Sequence, residues 1–243
     1  MDRSRARVLV VGMGGLGCPA ALALARAGVG HLGLLDDDEV DATNLHRQIL
    51  YREEDVGAPK AEVAARALAR HGGRGAFEPI LARLLPETAV ELVSRYDVVV
   101  EGADNFPTKF LAADACALAR VPVVQGAAVR WYGTALASGG AGKPCYRCLF
   151  EDIPTEGAPN CDEAGVMGPV VGIVGAIQAS LALEVLDGKA PFGRLVTYDG
   201  KADRLRMLAV PARPGCPLCG DAPTIRAVVR ERYVGGPSCA APS

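Results

Sequence analysis

The chain has 243 residues, half of them apolar and 22% charged, enough for one large domain or two small ones without obligatory disulfide or metal staples. Its 26 basic and 28 acidic groups leave a formal charge of −2, which argues against disorder and against a broad polyanion-binding face, so nucleic acid is not an expected partner. Aromatics are only 5%, and a core of alanine, leucine and valine suits α/β packing better than an aromatic-rich sandwich.

The N-terminus carries charged side chains with no long apolar stretch or small-residue cleavage site, so an export signal is not expected and the cytoplasm is the expected compartment. Residues 7–11 read as a short apolar strand, 16–27 as an alanine- and leucine-rich helix closed by Gly28, and 31–36 as the next strand. A helix is expected over 59–71, a buried strand over 96–100, a helix over 106–119 and an extended segment over 122–129. This alternation predicts a Rossmann-like, doubly wound, mainly parallel sheet with helices on both faces. Beyond it the pattern changes. Residues 132–138, 194–199 and 204–210 alternate like antiparallel strands, the last two joined through Gly200 and Lys201, and they form a C-terminal extension. Residues 166–186 are long and apolar enough to span a membrane, but Gln178, Ser180, Glu184, Pro169 and three glycines favour a buried helix. Residues 150–160 read as a mobile loop and 235–243 as a frayed tail.

Gly12, Gly14 and Gly17, with Gly15 between them, form G-x-G-x-x-G directly after a strand and at the start of a helix, and Asp36 ends the following strand. Glycines there let backbone N–H groups approach a phosphate at the helix N-terminus, and the carboxylate can accept from ribose hydroxyls. NAD and ATP can both use such a loop. Asn44, Arg47, Gln48 and Lys60 follow in a stretch where a dehydrogenase has no particular need of two cations. Cleaving ATP between its α- and β-phosphates does need them, because charge builds on the leaving pyrophosphate. Asp104, just past the strand over 96–100, is placed to hold Mg²⁺ at the carboxyl ends of the strands.

In a cytoplasmic chain the eight cysteines are expected to be reduced. Cys145-Tyr-Arg-Cys148 and Cys216-Pro-Leu-Cys219 are two C-x-x-C pairs far apart in sequence, the spacing of a closed, structural Cys₄ Zn²⁺ site. A redox pair is the alternative, without the usual βαβ context.

These residues, together with Asn44-Leu-His-Arg-Gln48, Pro59-Lys60, Asp104-Asn105 and the stretch from Cys161 to Gly172, resemble the ThiF/MoeB/HesA family, bacterial relatives of ubiquitin-activating enzymes. The resemblance covers about residues 7–220 and implies one ATP-binding adenylyltransferase domain over 1–220. That domain would divide into a nucleotide-binding half, 1–130, and a carrier-binding and zinc half, 131–220, followed by a tail, 221–243. It implies adenylylation of the C-terminal Gly-Gly carboxylate of a small ubiquitin-like sulfur carrier of the ThiS/MoaD kind, with ATP, Mg²⁺ and Zn²⁺, in a homodimer. By the same resemblance Asp36 takes the ribose, Asn44, Arg47 and Lys60 the phosphates, Asp104 the Mg²⁺, and Gln48 and Asn105 belong to the nucleotide site. Cys161 matches a cysteine that some thiamine-pathway members join to the carrier, the plainer alternative being a small loop residue. Cys18 and Cys116 read as core thiols.

Three departures from the family pattern bear on function. The family's N-terminal helix, whose arginine reaches the partner subunit's site, has no counterpart before residue 7. Lys109 stands where an arginine is common. The sequence ends before a rhodanese domain, so sulfur is expected from a separate donor, a cysteine desulfurase or rhodanese. A carrier-docking protein without catalysis is therefore the first alternative. An NAD-dependent oxidoreductase is the second, and it leaves the cations and paired cysteines unexplained.

Overall fold

The computed structural model describes residues 2–154 and 165–233. Its strands are β1 (Arg7–Val11), β2 (His31–Leu35), β3 (Ala76–Ile80), β4 (Val98–Glu101), β5 (Val123–Val129), β6 (Tyr132–Ser138), β7 (Arg194–Asp199) and β8 (Arg204–Ala209). They form one eight-stranded sheet in the order β3-β2-β1-β4-β5-β6-β7-β8. Pairings from β3 across to β5 are parallel, and those from β5 to β8 antiparallel. The mixed α/β sheet with an antiparallel extension is therefore present as the sequence implies.

The helices are α1 (Gly17–Arg26), α2 (Lys60–Arg70), α3 (Ala89–Val93), α4 (Phe106–Ala119), α5 (Tyr146–Leu149) and α6 (Gly168–Leu186). Alternation along each strand sorts the core onto two faces. Val8 and Val10 pack with α1, α2 and α6 through Leu24, Ala67 and Val174. Leu9 and Val11 face the other way, onto Val93, Phe110 and Cys145 from α3, α4 and the paired-cysteine corner. α6 is long and apolar enough to cross a membrane, yet Val170, Val174, Ala182 and Leu186 are buried in the first of these cores.

Among the named strands and helices, β3, α3 and the four-residue α5 have no counterpart in the sequence reading. β3 is an edge strand whose Glu78 and Pro79 break any apolar run, and α3 is too short for a helical period to emerge. Ile225 and Tyr233, in the segment expected as a tail, are buried against the second core.

Candidate active site

The carboxyl ends of β1, β2 and β4 meet at one edge of the sheet, and the glycine loop lies across them. Gly12 leaves β1 with φ of +85°, a left-handed conformation that carries no Cβ penalty in glycine. Its N–H donates to the Leu35 carbonyl at 2.8 Å, which pins the turn to the end of β2. The chain then doubles back into α1 so tightly that a Cβ on Gly17 would sit 1.9 Å from the Gly12 carbonyl oxygen. Gly14 and Gly15 form the loop between. The start of α1 thus presents unscreened backbone and the positive end of its dipole, the arrangement that binds phosphate.

Three side chains fix this loop through Met13. Asp36 accepts the Met13 N–H at 2.6 Å on one oxygen and the Asp38 N–H at 2.9 Å on the other. The Met13 carbonyl accepts from the Tyr51 hydroxyl at 2.7 Å and from the Cys18 thiol at 3.3 Å. Asp36 is therefore a loop anchor first, and each oxygen keeps a second lone pair for a ligand hydroxyl. Burial pushes its carboxyl above the ordinary range, against the pull of Lys60 and the two backbone N–H groups. Burial likewise pushes the Cys18 thiol up to about 12, so it serves as a core group as the sequence suggests.

The cations come from the loop after β2 and the start of α2. A short helical turn at Ala42–Asn44, capped by Asp41, lets the Asn44 carbonyl accept from both Arg47 and Gln48. The Arg47 stem is thereby laid against the glycine loop, its Cγ 3.5 Å from where a Gly15 Cβ would stand. Gln48 is buried against Gly14, and its Oε1 has no hydrogen-bond partner among the described residues. Lys60 is buried to 6% exposure, and its ammonium is held 2.8 Å from Asp38. Burial works against that charge, but Asp38, Asp36 and Asp104 outweigh it and raise Lys60 above its ordinary value.

Asp104 stands exposed beyond β4. An exposed carboxylate beside a phosphate loop suits Mg²⁺, which keeps several waters and takes further oxygens from phosphates. Asn105 also has a structural role. It caps α4, accepting the Thr108 N–H at 2.9 Å, and its Nδ2 donates to Asp104 at 3.3 Å.

Sequence reasoning missed the pair beneath Asp104. Glu101 is fully buried and takes the Lys109 ammonium at 3.1 Å, while Lys109 also donates to the Gly126 carbonyl. The Glu101 carboxylate further accepts the Ala103 N–H at 2.6 Å, shaping the turn toward Asp104. Lys109 is therefore turned into the sheet and bound there. No periodicity signals such a pair, although a glutamate closing an all-valine strand is a visible anomaly.

Away from the loop, Cys145, Cys148, Cys216 and Cys219 are all buried, with the four sulfurs within 4.8 Å of one another. The closest pairs are 3.5 Å and 3.4 Å apart, and none is disulfide-bonded. Tetrahedral Zn–S bonds near 2.3 Å place sulfurs roughly 3.8 Å apart, so the donor set fits zinc. Burial opposes the Cys216 thiolate, yet backbone N–H groups of Cys219 and Leu218 outweigh it and lower that thiol. Asp114 and Arg147 form a buried bidentate pair at 2.8 and 2.9 Å beside this cluster, and Tyr233 donates to Asp114 at 2.7 Å. Cys161 lies outside the described residues, as do most of the loop expected over 150–160 and the tail over 235–243.

A model of the ThiF family matches residues 2–218. The chain belongs to the ThiF family. This ThiF-family chain is 45% identical over 233 residues to the sulfur carrier protein adenylyltransferase of Thermus thermophilus, covering 93% of this chain and 86% of that protein. It is 42% identical over 236 residues to the adenylyltransferase and sulfurtransferase MOCS3 of Anopheles gambiae. The match covers 95% of this chain but only 54% of that relative, so the chain spans about half the length of the MOCS3 protein. Among solved structures, Escherichia coli MccB with MccA-N7isoASN superposes with a TM-score of 0.80 at 22% identity, over 90% of this chain and 68% of that one. The MccB structure with ATP gives 0.78 at 23% identity over 90% and 67%. These likenesses establish the fold of the ThiF family for this chain.

Proposed function

We propose that this protein uses Mg-ATP to adenylate the C-terminal Gly-Gly carboxylate of a small ubiquitin-like sulfur carrier. One observation carries the reading: the chain is 45% identical to a sulfur carrier protein adenylyltransferase across 86% of that relative. The geometry supports it, because a phosphate-type loop, two cations and an exposed carboxylate gather at the ends of β1, β2 and β4.

A carboxylate is ionised at neutral pH, so attack on the α-phosphorus needs no general base. One carrier oxygen forms a bond to that phosphorus, the bond to the bridging β-phosphate oxygen breaks, and pyrophosphate leaves with its electron pair. Gly14, Gly15 and Gly17 hold the phosphates through backbone N–H groups, Gly12 supplies the tight turn off β1 that lets the phosphates approach, and Asp36 takes the ribose hydroxyls. Asn44, Arg47, Gln48 and Lys60 surround the phosphates and offset the charge that grows on the leaving group. Asp104, oriented by Asn105, would hold Mg²⁺, which supplies further neutralisation when bound. The contribution of the protein is alignment and charge, as in other phosphoryl-transfer sites.

Cys145, Cys148, Cys216 and Cys219 would hold a Zn²⁺ whose role would be structural, tying the C-terminal segment to the start of α5. A separate sulfur donor in the cytoplasm, a cysteine desulfurase or rhodanese, then supplies a persulfide whose outer sulfur bonds to the acyl carbon as AMP leaves; a thiol reduces the resulting acyl disulfide to the thiocarboxylate, and Cys161 is the residue to test for covalent participation. The outward side of α6, whose apolar length is only half buried, is assigned to a second copy of this chain.

Mass spectrometry of a Gly-Gly carrier incubated with protein and Mg-ATP tests the reaction. An AMP adduct on the C-terminal glycine is expected. A carrier that binds and stays unmodified would support the docking alternative instead. For the metal, one zinc per chain is expected, and Cys216→Ser is expected to lose it and lower the Tm by on the order of 10 °C. Unchanged melting with lost turnover would contradict a structural role.

A further inference from the structure

The carbonyl of the Met13–Gly14 peptide accepts from the Tyr51 hydroxyl at 2.7 Å and from the Cys18 thiol at 3.3 Å. Both donors are buried in the core on the α1 side of the sheet, Tyr51 at 6% exposure. The cis bond among the described residues precedes Pro144, so this peptide is trans, and its N–H and C=O point in opposite directions. With the carbonyl turned into the core, the Gly14 N–H points out toward the accessible side of the loop, where Gly14 and Gly15 are part-exposed. That N–H donates to nothing among the described residues.

The backbone alone does not enforce this orientation. Flipping the peptide changes ψ of Met13 and φ of Gly14, and glycine accepts either sign of φ at little cost. A flipped peptide would aim its carbonyl oxygen at an anion and repel it. The Cys18 thiol is a weak donor, which leaves the phenol as the main restraint. Burial holds the Tyr51 phenol well above its ordinary range, so the hydroxyl keeps the proton it donates. Tyr51 follows Arg47 and Gln48 in one loop, and its own N–H donates to the Gln48 carbonyl at 3.2 Å. A single segment thus lays a cation against the glycine loop and sets this hydroxyl beneath it.

We propose that Tyr51 is a positioning residue for the nucleotide: by holding the Met13 carbonyl inward, it keeps the Gly14 N–H aimed at the phosphates of ATP. The assignment rests on the adenylation reading above, which places those phosphates on the glycine loop. It also divides the work around Met13. Asp36 fixes the preceding peptide through the Met13 N–H and serves the ribose, whereas Tyr51 serves the phosphates.

Calorimetric binding of Mg-ATP and of adenosine to the wild-type protein and to Tyr51→Phe tests this. Tyr51→Phe is expected to weaken ATP binding roughly tenfold and to leave adenosine binding unchanged, a split that a merely structural tyrosine would not produce. In protein carrying isotope-labelled glycine, the Gly14 amide resonance, identified by its loss in Gly14→Ala, is expected to move on addition of Mg-ATP, and to move much less in Tyr51→Phe. Equal losses for ATP and adenosine, or an ATP affinity that ignores Tyr51→Phe, would overturn the proposal. Where the variant fails to fold, a wild-type Gly14 resonance that Mg-ATP leaves in place would overturn it as well. Binding is read apart from turnover, so the two readings fail separately. The ATP-specific loss without any AMP transfer would count against adenylation while upholding Tyr51, and AMP transfer with ATP affinity intact in Tyr51→Phe would do the reverse. No ATP binding in the wild type would overturn both.

Discussion

The two ends of this sheet bury polar groups in opposite ways. Near the paired cysteines the central charges satisfy one another: Arg147 grips Asp114 in bidentate fashion and also reaches Asp152, and Tyr233 adds a further bond to Asp114, while the neighbouring Arg213 keeps a buried Nε without a partner among the described residues. At the glycine loop the groups are held in place yet keep capacity in reserve. Lys60 is buried but pairs with an Asp38 side chain that is 57% exposed, and Gln48 Oε1 has no partner among the described residues. A closed network rigidifies, because removing any member strands a buried charge. An open one binds, because a ligand completes what the protein leaves incomplete. Mutations at the two ends should therefore separate stability from activity.

The largest effect is expected in the closed network. Asp114→Ala takes from the buried Arg147 guanidinium its bidentate partner, leaving only Asp152 and the Glu151 carbonyl on Nη1, and should cost about 3 kcal/mol, read as a lower denaturant midpoint. Folded protein should keep its KM for ATP. A stable Asp114→Ala protein with weakened ATP binding would reverse the comparison. Asp104→Ala is the counterpart at the open end. It should lower the rate of AMP transfer by about a hundredfold with unchanged melting, because the side chain is exposed and its loss strands nothing. A marked loss of stability there would show that the carboxylate holds the fold.

The smallest effects concern Lys60. Lys60→Ala should weaken ATP binding roughly tenfold. The lysine is raised above its ordinary value of 10.5, so its charge and its ion pair persist below that value and are lost only as pH climbs through the raised one. Equilibrium binding should accordingly give an ATP affinity that does not decline from about pH 8 to about pH 10 on account of this residue. A decline in the wild type that vanishes in Lys60→Arg would mean that burial, not the neighbouring carboxylates, governs Lys60.

What the sequence makes legible follows from how local each signal is. The glycine loop, Asp36 and both C-x-x-C pairs are local patterns with a fixed chemical reason, and the structure brings each set together. Asn105 was readable as a site residue but not as the cap of α4, which depends on where the helix begins. Tyr51 and the pairs Glu101–Lys109 and Asp114–Arg147 were not readable. Each is defined by what the fold sets opposite it, and an isolated glutamate or arginine in sequence is far more often a solvated charge. Tyr233 meets Asp114 from the far end of the chain, and no periodicity encodes such a contact.

Carrier-dependent release of pyrophosphate from Mg-ATP is the most direct measurement of the central claim, made with an intact Gly-Gly carrier and with the same carrier lacking its last glycine. Release with the intact carrier alone, lost in Asp104→Ala, is the predicted result. Release that ignores the carrier's C-terminus, or none despite measured binding of both ATP and carrier, would contradict adenylation at this site.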